Sequence, residues 1–309
     1  MTPPSISVVI PCFNAAAFLT ETLQSALSQT LAPQEVIVVD DGSTDESARI
    51  AESFGPPVRV IRQTNHGESV ARNRGIEQAR GTWIALLDAD DRWEPNKLER
   101  QVAALSQAPP ETVCCYTITY RFRGEERLDL LDNPEYDQYP NPVIQMLIDW
   151  CVAPSSALVR TDVARATRFP ENIRRQEDLM FFAHVRTRGP FVKVREPLTG
   201  YRVSPAQQTG SPRHVFESLM AKCEWFTDHR SLFSDGDEQT FRASVRADLE
   251  RAFERAFWRR ETALARECRT AYRRLFPQDT PKSMQRLILP AWLYRLKDSV
   301  AQPTARLFL

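Results

Sequence analysis

Short runs of β-branched and other apolar residues alternate with helical segments through the first 120 residues of this chain. Four runs stand out: Ile6–Ile10, Val36–Val39, Val58–Ile61 and Trp83–Leu87. Between them, apolar residues recur at the spacing of an amphipathic helix. Such a strand–helix–strand order is typical of an α/β fold with a mostly parallel central sheet. We therefore predict an α/β domain that begins near the first residue.

The alternation stops in the second half of the chain. Residues 121–142 are charged and rich in aromatic residues and proline, which predicts a hairpin or a long loop. From residue 213 onward the pattern is helical, with one long helical stretch at Phe241–Phe276 and a second helix at Ser283–Lys297. We predict a catalytic domain over residues 1–212 and a C-terminal helical region over residues 213–309.

Charge and composition limit the functional classes. The 40 basic and 40 acidic residues balance to a net charge of +0, which argues against a dedicated nucleic-acid-binding protein. Acidic residues are in excess before residue 213, and basic residues are in excess after it. The six cysteines form no C-x-x-C pair, which favours buried thiols in a reducing compartment. Neither a signal peptide nor a membrane-spanning segment is recognisable, so we expect a cytoplasmic location.

Polar clusters follow three of the predicted strands. They are Pro11–Asn14, Asp40–Ser43 and Asp88–Asp91. Ligands of open α/β sheets bind at the carboxyl ends of the strands, so these clusters are candidates for one site. The D-x-D pattern of Asp88 and Asp90 suits a hard divalent cation, although taken alone it also fits a solvated turn that caps a helix.

Other ligand-binding motifs do not fit. An EF-hand that began at Asp88 would place Arg92 at a ligand position and Trp93 where the turn requires glycine. No G-x-G-x-x-G or Walker loop follows the first strand. The segment Asn65–Gly81 places Arg72 near the start of a helix, where an anion could bind. A surface helix with solvated arginines is an equally good interpretation of that segment.

Taken together, these segments resemble the family 2 glycosyltransferases. The resemblance rests on SVVIPCFN, EVIVVDDGSTDES and NHGESVARNRGIEQARGTWIALLDADD, which occur in the same order over roughly residues 5–100. It continues more weakly through residues 155–209. It implies a GT-A fold, with nucleotide binding at about residues 5–120 and acceptor binding at about residues 121–212. It also implies an inverting transfer from a nucleotide sugar with Mn²⁺ or Mg²⁺ as cofactor.

The resemblance assigns donor-site roles to individual residues. Pro11 and Phe13 would lie along the base and ribose of the nucleotide. Asp40 or Asp41 would accept a hydrogen bond from the base, and Arg72 would approach the nucleoside or its phosphates.

It also assigns the metal site and the catalytic base. Asp88 and Asp90 correspond to the D-x-D motif, with Asp88 toward the ribose and Asp90 on the metal. Asp178 would be the general base and Glu177 would support it. Without the resemblance, Glu177 and Asp178 would be interpreted as two acidic residues at the start of a helix, where their negative charges interact favourably with the helix dipole.

The sequence departs from the family pattern at one position. Many relatives carry a histidine shortly after a Tyr-Arg pair, but Val203 and Ser204 follow Tyr201–Arg202 here. The role of that histidine toward the diphosphate or the metal is therefore either absent or taken by Arg202, Gln207 or Gln208.

These observations favour transfer of a sugar from a UDP-sugar, with GDP or dTDP as alternatives, to a glycan or lipid-linked glycan. Such a reaction belongs to the synthesis of bacterial surface polysaccharides or glycoconjugates. A non-catalytic sugar- or nucleotide-binding module and a sugar nucleotidyltransferase are the alternatives. The basic and apolar segment 283–309 predicts contact with an anionic membrane surface, self-association, or packing on the catalytic domain.

Overall fold

The computed structural model describes residues 4–132, 141–149, 152–173, 176–203, 211–278 and 281–285. The chain divides into two compact units, Met1–Gln207 and Gln208–Leu309.

The described part of the first unit contains both strands and helices. The strands are β1 (Ile6–Cys12), β2 (Glu35–Asp40), β3 (Val58–Arg62), β4 (Trp83–Leu86), β5 (Arg92–Trp93), β6 (Cys114–Arg123), β7 (Glu126–Leu131), β8 (Ala157–Arg160) and β9 (Phe191–Arg202). The helices are α1 (Leu19–Leu27), α2 (Ser47–Ser53), α3 (Glu68–Gln78), α4 (Lys97–Gln107), α5 (Pro142–Ile148), α6 (Thr161–Thr167) and α7 (Glu177–Arg186). A 3₁₀ turn at Pro154–Ser156 precedes β8.

All nine strands belong to one sheet, in the order β3-β2-β1-β4-β8-β6-β9-β5, with β7 paired to β6. The pairs β1–β2, β1–β4 and β2–β3 are parallel, as the strand–helix alternation predicts, and so is β6–β9. Four pairs that involve β5, β7 and β8 are antiparallel. The predicted α/β class is confirmed, and the parallel first half places the ends of β1, β2 and β4 side by side.

Helices cover both faces of the central strands. Successive side chains of a strand point to opposite faces of the sheet. Accordingly, Val8 clusters with Leu23 of α1, whereas Val9 faces α3 on the other side. A Cβ atom at Gly75 of α3 would lie 2.3 Å from Cγ1 of Val9, so only glycine allows this close approach of helix and strand.

The loops after β1 and β2 are bonded to each other. Ser43–Glu46 has the form of a capping box, but α2 begins only at Ser47, where the Asp45 carboxylate accepts the backbone N–H at 3.0 Å. Ser43 instead uses its hydroxyl oxygen to accept the backbone N–H of Asn14 at 3.0 Å. The two loops are therefore fixed relative to each other at the edge of the sheet.

The described part of the second unit is helical. It contains α8 (Pro212–Asp228), α9 (Asp235–Trp258) and α10 (Thr262–Leu275), with 3₁₀ turns at Arg230–Leu232 and Lys282–Gln285.

The long helical stretch predicted at Phe241–Phe276 is divided between two helices, α9 and α10. The helix is interrupted after Trp258, where Arg260 takes a left-handed conformation with φ 60°. There the Glu261 N–H donates to the Ala256 carbonyl at 2.9 Å, which closes the end of α9.

Residues 286–309, which include most of the predicted tail helix, lie outside the described residues. Within the described ranges, no helix combines the length and apolar character needed to span a membrane.

Candidate active site

A cleft of about 460 Å³ lies at the carboxyl ends of β1, β2 and β4. The loops after these strands and the start of α3 supply most of its wall. Its lining residues are Pro11, Cys12, Phe13, Asn14, Ala15, Phe18, Asp41, Asn65, Gly67, Glu68, Ala71, Asp88, Ala89 and Asp90. The cleft therefore brings together residues from all three polar clusters that the sequence singles out.

Arg72 places a buried positive charge against two carboxylates of the cleft lining. The residue is 2% exposed, and its Nη2 donates to Oδ1 of Asp88 at 2.7 Å and to the carboxylate of Glu68. Burial lowers the pKa of Arg72, but the charges of Glu68 and Asp88 outweigh it and raise that pKa above the ordinary value. Its Nε and Nη1 have no hydrogen-bond partner among the described residues. One N–H of Nε and two of Nη1 are therefore buried without a partner among the described residues.

The D-x-D carboxylates line the same cleft. Burial and the negative charge of Asp88 together raise the pKa of Asp90 to about 6. A bound cation would relieve this repulsion, so the two carboxylates fit the oxygen-ligand chemistry of Mg²⁺ or Mn²⁺. Among the described residues, no group of three or more acidic, histidine or cysteine side chains is arranged to hold a metal. Other oxygen ligands would therefore have to come from the substrate and from water.

Asp91, the next residue, has a buried structural role. Its Oδ2 accepts the hydroxyl of Ser155 at 2.6 Å, and its Oδ1 accepts the backbone N–H of Arg202 at 3.0 Å. The hydroxyl oxygen of Ser155 in turn accepts the backbone N–H of Asp88 at 3.0 Å. The D-x-D turn is thus attached to both the 3₁₀ turn before β8 and the end of β9.

Arg202, which the sequence offers as a replacement for the absent histidine, lies against the back of this turn. Its Nε donates to the carbonyl of Asp90 at 2.7 Å, and its Nη2 donates to Glu21 at 2.5 Å. The other two candidates, Gln207 and Gln208, lie outside the described residues.

The structure separates the two aspartates that follow β2. Asp41 lines the cleft and accepts the backbone N–H groups of His66 at 2.9 Å and Gly67 at 2.8 Å. Asp40 is not part of the lining formed by the described residues, and its Oδ1 accepts the N–H of Ser43 at 3.2 Å. Of the pair, Asp41 is the one within reach of a ligand in the cleft.

Pro11 and Phe13 form part of the wall on the β1 side. Phe13 is 50% exposed, which is unusual for a phenylalanine and leaves a ring face accessible from the cleft. An exposed aromatic face beside a polar cleft can stack on a planar base.

Glu177 and Asp178 begin α7, outside the cleft lining. Asp178 is half-buried, and its own Oδ1 accepts the N–H of Leu179 at 2.7 Å. Burial raises the pKa of Asp178 to about 6, and the nearby charge of Asp88 also raises it. Burial and the charge of Asp178 raise the pKa of Glu177.

Aromatic rings connect Arg72 to α7. The Arg72 guanidinium lies 5.1 Å from the ring centroid of Phe169, and that ring stacks on Phe181 of α7 at 3.9 Å. The guanidinium of Arg72 and helix α7 therefore contact the same ring.

Sequence reasoning missed several residues of this arrangement. Glu68 precedes Arg72 by one helical turn, and this i,i+4 spacing is a signal that could have identified it as an ion-pair partner. Ser155 and Phe169 are distant in sequence from the residues they contact, and no local pattern marks them.

A profile of the family described as "Glycosyl transferase family 2" matches residues 7–168. EpsJ of Bacillus subtilis, named as an uncharacterized glycosyltransferase, is 39% identical over 245 residues, which are 73% of this chain and 71% of EpsJ. The chain belongs to glycosyltransferase family 2. As a family 2 glycosyltransferase it is an enzyme, and the alignment with EpsJ covers more than two thirds of both proteins.

Solved structures confirm the fold of this family 2 glycosyltransferase. Staphylococcus aureus TarS 1–349 in complex with UDP-GlcNAc superposes with a TM-score of 0.56 at 18% identity and covers 85% of this chain and 88% of that one. The mannosyltransferase PcManGT from Pyrobaculum calidifontis, in complex with GDP-Man and Mn²⁺, gives a TM-score of 0.57 at 14% identity. That match covers 97% of this chain and 81% of PcManGT. The predicted GT-A-type α/β fold is thereby confirmed.

Proposed function

We propose that this enzyme transfers a sugar from a nucleotide diphosphate donor to a hydroxyl group of an acceptor, with inversion at the anomeric carbon. The observation that carries the proposal is the ion pair between buried Arg72 and Asp88, a residue of the cleft lining. Three N–H groups of Arg72, on Nε and Nη1, have no partner among the described residues and favour an anion, and Asp90, two residues after Asp88, suits a cation. A diphosphate with a bound divalent cation satisfies both.

The cleft residues have distinct roles in donor binding. The ring of Phe13 stacks on the base and Pro11 lies along the nucleoside, while Asp41 accepts a hydrogen bond from the base. Asp88 lies toward the ribose. Asp90, with Asp88 beside it, would hold a divalent cation, which would offset the negative charge that develops on the leaving diphosphate.

Asp178 acts as the general base, and Glu177 supports it. The Asp178 carboxylate takes the proton of the acceptor hydroxyl as that oxygen attacks the anomeric carbon. The new glycosidic bond forms as the bond between the anomeric carbon and the diphosphate oxygen breaks, and the electron pair leaves with the diphosphate. A pKa near 6 leaves this carboxylate ionised at neutral pH while keeping it more basic than an ordinary aspartate.

UDP is the proposed donor nucleotide. TarS binds UDP-GlcNAc and UDP, whereas PcManGT binds GDP-Man with Mn²⁺, which supports a nucleotide sugar and a divalent cation and leaves GDP as the second candidate. A glycan or lipid-linked glycan is the proposed acceptor, in cytoplasmic synthesis of a bacterial surface polysaccharide or glycoconjugate. The tail's membrane contact, predicted from the sequence, stays a prediction.

The test measures UDP binding by calorimetry with and without Mn²⁺. Asp90→Asn should lose the gain in UDP affinity that Mn²⁺ gives to the wild type, whereas Asp129→Asn, on exposed β7, should retain it. Unchanged Mn²⁺-dependent affinity in Asp90→Asn would remove the metal assignment. A thermal-shift screen of nucleotide sugars then identifies the donor, because a ligand of the folded state raises the unfolding temperature.

Asp178→Asn tests the base. It should bind UDP as the wild type does but transfer sugar at a rate lower by about 10²–10⁴-fold, the usual contribution of a general base. Near-normal turnover would exclude Asp178 from this role. A non-catalytic binding module would bind the nucleotide but show no transfer with any acceptor.

A further inference from the structure

The end of α9 in the second unit carries an exposed aromatic residue among arginines. Trp258 is 69% exposed, and it is the most exposed large apolar side chain among the described residues. Arg251, Arg255 and Arg259 are also exposed, and Arg260 follows them directly. We call these five residues the Trp258 patch.

The geometry of the helix groups these side chains. Residues 251, 255 and 258 lie four and three positions apart, so they share one stripe of α9, and Arg259, four positions after Arg255, caps the end of that helix. The buried residues of this part of the helix occupy the other side; they are Val245, Leu249, Ala252, Phe253 and Ala256. The indole of Trp258 therefore faces solvent on the side away from the packed stripe.

The patch has a positive charge. Arg251 pairs with Asp248, whereas no ion pair to an acidic residue is found for Arg255 or Arg259 within the described residues. Arg260 adds a further charge at the position that ends the helix, where its φ of 60° favours glycine. A large, non-glycine, positively charged residue thus occupies a position where backbone conformation favours a residue without a side chain.

We propose that the Trp258 patch binds the headgroup layer of an anionic lipid bilayer. Tryptophan rings concentrate at the membrane–water interface, where the apolar ring and the indole N–H both find partners. Arginines beside the ring attract anionic headgroups, and their aliphatic stems cover apolar surface. No membrane-spanning helix is required, since the patch lies on the surface of α9. The proposal is independent of the predicted contact of residues 283–309 and of the transfer reaction.

The test uses the full-length protein and sedimentation with vesicles. The wild type should sediment with vesicles that contain phosphatidylglycerol and remain in solution with vesicles of phosphatidylcholine alone. Arg259→Gln/Arg260→Gln should weaken the partition by about 25-fold, from about 1 kcal/mol for each basic residue near an anionic surface. Trp258→Ala should weaken it as well, and Trp258→Tyr should restore part of the loss.

Arg260→Gly separates surface binding from folding. Glycine suits the left-handed conformation, so this variant should keep or raise the unfolding temperature while it weakens vesicle binding. Arg273→Gln/Arg274→Gln is the charge-matched control. Both residues are exposed on α10, about 16 Å along the helix from its start, which follows the Trp258 patch in the chain. Vesicle binding should change less in this variant than in Arg259→Gln/Arg260→Gln.

Three results would overturn the proposal. One is the failure of the wild type to sediment with anionic vesicles, and another is undiminished sedimentation of Trp258→Ala, which would assign binding to the tail. The third is competition by a single-stranded oligonucleotide or by millimolar inorganic phosphate that releases the protein from the vesicles. That result would indicate a site for phosphate groups in general and no preference for a lipid surface.

Discussion

Asn73 of α3 holds Phe169 through both backbone groups of that residue, 96 positions further along the chain. Its Nδ2 donates to the Phe169 carbonyl at 2.8 Å, and its Oδ1 accepts the Phe169 N–H at 2.7 Å. The ring of Phe169 consequently lies against the guanidinium of Arg72, the neighbour of Asn73. One helix thus positions both Arg72 and the segment that leads to α7.

Asn73→Ala should reduce the free energy of unfolding by about 2–3 kcal/mol, because it leaves buried backbone groups without partners. Urea denaturation monitored by circular dichroism measures the change. Asn172→Ala, at an exposed asparagine of the same loop, is the control and should alter stability by less than about 0.5 kcal/mol. Equal effects of the two variants would contradict the structural role of Asn73.

The pH dependence of turnover should report Asp178. A general base must be deprotonated to act, so with a pKa of about 6 the kcat should rise with pH and level off above about pH 7. Stopped assays at saturating substrates between pH 4.5 and 8 give this profile. The low residual rate of Asp178→Asn should lack the inflection near pH 6. If the inflection persists in that variant, another group is responsible.

Asp41→Asn and Asp40→Asn form a matched pair that tests which aspartate serves the cleft. Asp41 accepts two backbone N–H groups, one on each carboxylate oxygen. In Asp41→Asn the amide N–H₂ would replace one of these oxygens and would face a backbone N–H, so that N–H would lose its acceptor. We expect at least tenfold weaker UDP binding for Asp41→Asn in calorimetry. Asp40→Asn keeps an oxygen for Ser43 and should bind UDP within about twofold of the wild type. The reverse ranking would assign the base contact to Asp40.

Lys97 should make stability rise with pH. This lysine is 0% exposed; its ammonium lies 4.2 Å from the ring centroid of Trp93 and donates to Gln101 at 2.9 Å. Burial lowers its pKa from 10.5 to about 7, so between these values the unfolded chain binds more protons than the folded one. The contribution of Lys97 to the free energy of unfolding should therefore increase by about 3 kcal/mol from pH 7 to pH 10.

Lys97→Met isolates this contribution, because other groups titrate in the same range. The difference in unfolding free energy between variant and wild type, from urea denaturation at each pH, should favour the variant most at pH 7 and shrink toward pH 10. A difference that does not change with pH would show that the ammonium is not desolvated in the folded state.

The sequence is sufficient to predict the strands and helices that carry local periodicity. The apolar runs at Val36–Val39 and Trp83–Leu87 predict β2 and β4, and the polar residues after them predict the cleft edge where Asp41 and Asp88 lie. The break after α9 was not predicted, because an arginine at residue 260 gives no local signal for a left-handed conformation that glycine normally occupies.

Long-range contacts account for what sequence reasoning could not supply. The antiparallel insertion of β8 between β4 and β6 depends on pairing between segments more than 70 residues apart, such as Trp83 and Arg160. The choice between Asp40 and Asp41 also needs the structure, since alternation along β2 assigns neighbouring side chains to different sides but does not say which side faces the cleft.

The close contact of Gly75 with β1 determines where Arg72 lies. Carbon atoms in ordinary contact are about 3.5–4.0 Å apart, whereas a methyl group at residue 75 would begin 2.3 Å from Val9. Any side chain there would lift α3 from the sheet and carry Arg72, one helical turn away, from Asp88. The electrostatics of the cleft are therefore controlled in part by a residue that has neither charge nor side chain. A neutral substitution at Gly75 should impair the site as much as the loss of a carboxylate does.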